Sequence, residues 1–97
     1  MSQSQNSGKG SGYEVVVYPQ PQKYLEKLKA ISQKETERCA DALEKLGEDP
    51  FRRRSGADIR SWSGPGFHYR IRVGRHRFGY RIDKKGKIVH VLRGWLK

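Results

Sequence analysis

Tyr69-Arg70-Ile71-Arg72-Val73-Gly74-Arg75-His76-Arg77-Phe78-Gly79-Tyr80-Arg81-Ile82 alternates apolar and basic residues, breaks at one glycine, and then resumes the alternation. Successive side chains of a β-strand point to opposite faces, so a period of two marks a half-buried strand. Read this way, Phe67, Tyr69, Ile71 and Val73 share one face, with His68, Arg70 and Arg72 on the other. After the turn, His76, Phe78, Tyr80 and Ile82 lie opposite Arg75, Arg77 and Arg81. One side of the hairpin is thus a row of guanidinium groups. Like charges on neighbouring strands repel, and a polyanion lying on the row would relieve that repulsion. Nucleic acid is the expected ligand.

The charge distribution points the same way. Residues 1–50 hold seven Lys/Arg against eight Asp/Glu, a net of −1, whereas residues 51–97 hold ten Arg and four Lys against Asp58 and Asp83, a net of +12. A nearly neutral half and a strongly basic half read as scaffold and binding surface. The preference for Arg over Lys suits bidentate phosphate contact and base stacking. With 34% hydrophobic residues in 97, the chain supports one modest core.

Working outward, residues 1–12 carry no apolar side chain after Met1 and read as a flexible tail, leaving 13–97 as the domain. Tyr13 to Tyr18 is a β-branched run ended by Pro19, hence a strand. Tyr24, Leu25, Leu28 and Ile31 recur at helical spacing, as do Cys39, Ala40, Leu43 and Leu46 after a polar interruption at Ser32-Gln33. Helices are expected over 22–31 and 34–46. Residues 47–66 read as turn-rich, followed by three strands near 67–73, 76–82 and 87–93. The resulting order β-α-α-β-β-β implies an α+β fold, with a small, mostly antiparallel sheet packed against a helical hairpin.

This arrangement resembles the RelE/ParE superfamily of toxins from toxin–antitoxin modules. The likeness is carried by Tyr13-Glu14-Val15-Val16-Val17, Leu46-Gly47-Glu48-Asp49-Pro50, Arg54-Ser55-Gly56-Ala57-Asp58-Ile59, Tyr69-Arg70-Ile71-Arg72-Val73-Gly74 with Arg77 and Tyr80, and Leu92-Arg93-Gly94. The resemblance implies a RelE-type fold and a ribosome-dependent endoribonuclease that cuts mRNA in the A site. A RelB-like antitoxin is the implied partner, beside mRNA and ribosomal RNA. A ParE-like inhibitor of DNA gyrase, or a catalytically weakened nucleic-acid-binding relative, is the alternative. The family's late tyrosine has no match here, and Leu92 stands where a histidine often precedes the terminal arginine.

Carried over by position, the implied catalytic arginines are Arg70, Arg72, Arg77 and Arg93. By alternation His68 is placed for proton transfer, whereas His76 and His90 sit on apolar rows. RNA or ribosome contact is expected of Arg52, Arg53, Arg54, Arg75, Arg81, Trp95 and Lys97. Phe67, Tyr69, Phe78 and Tyr80 are expected in the core. Trp62 is expected to pack a loop on the sheet, and Cys39, the single cysteine, to be a small core residue. The histidines lack a nearby acidic set, so neither metal nor cofactor is expected. No apolar run approaches the ~20 residues of a membrane span, and a soluble cytoplasmic protein is expected.

Overall fold

The computed structural model describes residues 12–51 and 58–97. In chain order the elements are β1 (Glu14–Val17), α1 (Pro19–Ile31), α2 (Gln33–Lys45), β2 (Asp58–Ser61), β3 (Tyr69–Val73), β4 (His76–Asp83) and β5 (Ile88–Leu96). The sheet order is β1-β5-β4-β3-β2, with β1 parallel to β5 and every other pair antiparallel. The α+β architecture is as expected, and the helices lie on the face opposite the arginines.

Local chemistry explains the boundaries. Pro19 and Pro21 open α1, where a missing N–H costs nothing. Ser32 ends α1 in an extended conformation, φ −153°, and caps α2, its hydroxyl accepting from Glu35 N at 3.2 Å. Ser32-Gln33-Lys34-Glu35 has the sequence of a capping box, so one residue turns the chain from one helix into the next. Val73 pairs with His76, leaving a two-residue turn of Gly74 and Arg75. Gly74 has φ +61°, the conformation a tight hairpin requires and that most side chains disfavour.

The core gathers Leu28, Cys39, Ala42, Leu43 and Leu46 from the helical side against Ile71, Val73, Phe78, Tyr80, Val89 and Val91 of the sheet. Phe78 meets the Tyr24 ring edge-on, with centroids 5.7 Å apart. Buried Tyr80 donates its hydroxyl to the Pro50 carbonyl at 2.7 Å. Gln20 ties α1 to β5 by accepting from Gly94 N at 2.6 Å and donating to Gly94 O at 2.9 Å. Cys39 is fully buried, and that burial pushes its thiol up to about 11. It is a core residue without a thiolate.

Several expectations need correction. The segment read as loop contains β2, a fourth consecutive strand. β2 offers only Ile59 to the core and is an edge strand, so its four residues lack a readable alternation. β5 continues three residues beyond 93, to Leu96. Phe67 lies before β3 rather than in it, and its ring covers Gly79 on the arginine side, where an added Cβ would collide with it. It therefore stands outside the helix-side core. His76 is not merely packed. Glu35 accepts from its Nε2 at 2.7 Å, which leaves Nδ1 to accept the Tyr24 hydroxyl at 2.7 Å. His90 alternates away from the core residues Val89 and Val91, and its Nδ1 meets the Tyr18 hydroxyl at 3.0 Å.

Candidate nucleic-acid interface

The register assembles the basic face. Arg60 pairs with Arg70, Arg70 with Gly79, and Gly79 with Arg93, forming one row across β2, β3, β4 and β5. The next row is Asp58, Arg72, Arg77 and Trp95. A bulge between Gly79 and Tyr80 makes this possible, because β5 skips a residue there and brings Arg93 and Trp95 to the arginine side. Without it, β5 would keep one alternation along its whole length and present Leu92 in place of Arg93.

Two charged groups are held at a cost. Arg77 is only 8% exposed, with its Nη1 3.4 Å from the Arg75 carbonyl. Arg70 has a buried Nη1 without a hydrogen-bond partner. Its pKa is lowered by burial first and then by the charge of Arg77, with Asp58 opposing. Guanidiniums about 8 Å apart repel by about 2 kcal/mol at an effective dielectric constant near 20. Asp58 offsets part of this, lying 3.4 Å from Arg72 Nε and 3.6 Å from Arg60 Nε. An incoming phosphate would offset more, and would supply acceptors for the orphaned Arg70 donor.

Beside Arg93 the rings of Trp62, Phe67 and Trp95 converge, with centroids 5.1, 5.7 and 5.8 Å apart. Together with Arg93 they line a cleft of about 260 Å³. Among the described residues no group of three or more His, Cys, Asp and Glu could hold a metal ion.

Solved structures with this architecture come from toxin–antitoxin systems. The archaeal RelE–RelB complex of Pyrococcus horikoshii matches at 25% identity and TM-score 0.73, over 88% of this chain and 94% of that one. RelBE2 of Mycobacterium tuberculosis matches at 22% and 0.70, over 89% and 99%. The YoeB/ParE toxin of Agrobacterium tumefaciens matches at 17% and 0.70, over 87% and 98%. No protein-family model and no curated protein matches the chain significantly. The chain has the fold of these RelE- and ParE-type toxins.

In this RelE-type fold, Arg70, Arg72 and Arg77 share one face as the alternation implies, and the bulge brings Arg93 to the same face. His68 is exposed just ahead of β3, with its backbone bonded to Trp62 and Tyr80. The alternation expected to aim it alongside Arg70 starts one residue later. Arg81 is exposed and pairs with His90 toward the far end of the sheet. Arg75 occupies the hairpin turn, where it lines a cavity of about 230 Å³ with Glu35, Arg38 and His76. Lys97 is exposed, its backbone N–H donating to the Arg75 carbonyl. Arg52, Arg53 and Arg54 lie outside the described residues, as do residues 1–11 of the expected tail.

Sequence reasoning missed Asp58, Arg60 and Phe67 as members of this face. The first two follow from β2, which was not legible. For Phe67, the Gly64-Pro65-Gly66 turn immediately before it is a signal that the strand had not yet begun.

Proposed function

We propose that this protein is the toxin of a toxin–antitoxin pair and acts as a metal-independent, ribosome-dependent endoribonuclease that cleaves mRNA in the A site. The observation that carries this reading is the convergence of Arg70, Arg72, Arg77 and Arg93 from three adjacent strands onto one open face. Toxin–antitoxin complexes among the structural neighbours supply the biological setting.

RNA cleavage of this kind breaks the phosphorus–O5′ bond as the 2′-oxygen attacks, placing extra negative charge on the phosphoryl oxygens. Preorganised guanidiniums aimed at that charge stabilise the transition state more than the ground state. Arg93, exposed at the rim, and Arg77, already desolvated, take this role. Arg70 and Arg72 hold the neighbouring phosphates in register. A guanidinium remains a poor base even with its pKa lowered, so the 2′-proton goes to another group. His68, exposed two residues ahead of Arg70, is the histidine available to take it, since His76 is held by Tyr24 and Glu35 on the helix side, and the ribosome and mRNA contribute orientation. Asp58 fixes Arg60 and Arg72 rather than accepting that proton, since both its oxygens face cations. A RelB-like antitoxin neutralises the toxin by covering this surface with acidic side chains.

The test is to incubate the purified chain with programmed ribosomes and map cuts on the bound mRNA. Cleavage in the A site without divalent-metal dependence beyond that of the ribosome itself is expected. Inhibition of DNA supercoiling with intact mRNA would contradict the reading and favour ParE-like action.

A further inference from the structure

The cleft of Trp62, Phe67, Trp95 and Arg93 lies on the polar side of the sheet, outside the helix-side core. We propose that it is a stacking subsite for one unpaired nucleobase of single-stranded RNA, with Arg93 on the adjoining phosphate. The inference rests on reading the arginine face as an RNA surface, and it adds a determinant of substrate engagement separate from the charges.

The three rings come from three places: Trp62 after β2, Phe67 before β3 and Trp95 within β5. Two glycines make room for them. A Cβ on Gly79 would strike the Phe67 ring, and one on Gly64 would strike the Trp62 indole. Phe67 therefore lies low over the sheet as a floor, only 9% exposed, while Trp62 remains 37% exposed and Trp95 half-buried. A purely structural plug would bury its largest rings. Here the smallest ring is buried and the two indoles line the opening.

Gly79 sits between Arg70 and Arg93 in the cross-sheet row, so these arginines are about 10 Å apart at the backbone, two strand spacings. That gap accommodates a nucleotide whose flanking phosphates meet one arginine each. Each base presents a π-face to the indoles, whatever its hydrogen-bonding edge, so stacking here is tolerant of sequence. Aromatic and arginine clusters also anchor protein partners. The five arginines of the surrounding rows favour a polyanion instead.

The test measures tryptophan fluorescence of the full chain during titration with a short single-stranded RNA and with the same oligomer carrying one abasic site. Binding should quench the indoles, and Trp95→Ala or Trp62→Ala should weaken it by about ten-fold or more. Trp95→Phe should retain most of the affinity. Removing the base should cost a similar factor in the wild type and almost nothing further in the Trp variants, because both changes delete one contact. The slope of affinity against salt should stay constant in the Trp variants and fall by about one in Arg93→Ala. Trp62 is exposed enough that its variant should fold, and the abasic arm needs no variant.

Unchanged affinity in both Trp variants, equal binding of the abasic oligomer, or quenching by an antitoxin segment but not by RNA would each overturn the subsite. These outcomes are separable from failure of the proposed activity. RNA held in the cleft without ribosomal cleavage sinks the nuclease reading alone. Cleavage indifferent to Trp62 and Trp95 sinks the subsite alone.

Discussion

The two faces of the β3–β4 hairpin come from one alternating sequence and were built under opposite constraints. Toward the helices, Ile71, Phe78 and Tyr80 are fully buried, and their one polar atom, the Tyr80 hydroxyl, has a partner in Pro50. Toward solvent, Arg70 keeps an orphaned buried donor, Arg72 faces Arg77 across the strands, and Trp62 stays exposed. The covered face satisfies the usual rules of packing and hydrogen bonding. The open face violates them in ways that a bound polyanion would repair, as sites shaped for a ligand often do.

Substitutions should therefore divide by face. The largest stability loss is expected for Phe78→Ala on the covered side, about 3–5 kcal/mol by denaturant unfolding, since the ring is fully buried against Tyr24. Any activity lost would follow the folded fraction. Tyr80→Phe should cost less, about 1–3 kcal/mol, by leaving the Pro50 carbonyl without its donor. On the open side, Arg72→Ala should change stability by no more than about 0.5 kcal/mol, because the group is exposed and its contact with Asp58 is long. A multi-kcal loss there would break the division between the faces.

Acid should act through the covered side. Glu35 has its pKa lowered from 4.5, chiefly by the hydrogen bond from His76. A carboxylate depressed in the folded state contributes stability above its unfolded value and loses it as pH falls through the folded one. The melting temperature of the wild type should therefore fall faster below pH 4.5 than that of Glu35→Gln. Parallel curves would show that the contact between α2 and β4 carries no linkage.

How much of this could be read from the chain differs by region for physical reasons. The hairpin was legible because Tyr69 to Ile82 alternates on both sides of a single break at Gly74, and the helices because their apolar stripes flank Ser32, which has a definite capping role. Arg70, Arg72 and Arg77 followed from the alternation, whereas Arg93 was named by resemblance alone, because the bulge that brings it to this face leaves no mark in the periodicity. β2 was not legible, since an edge strand that buries one side chain has no pattern to detect. The aromatic cleft was half-visible. Trp95 was placed beside Arg93, but the arrival of Phe67 depends on Gly79 across the sheet, a contact between residues that periodicity treats separately. The Tyr24–His76–Glu35 chain was hidden for a similar reason, because it joins two helices to a strand over 41 and 52 residues.

Arg93→Ala probes the contrast between the faces most directly. The side chain is exposed and the backbone pairing of Arg93 with Gly79 of β4 does not depend on it, so the melting temperature should stay within the range of neutral surface variants. Cleavage of ribosome-bound mRNA should fall by about 10²–10³-fold, the loss typical of removing one preorganised charge from a transition state. A folded Arg93→Ala protein that cuts at the wild-type rate would contradict the assignment of the open face as the catalytic one.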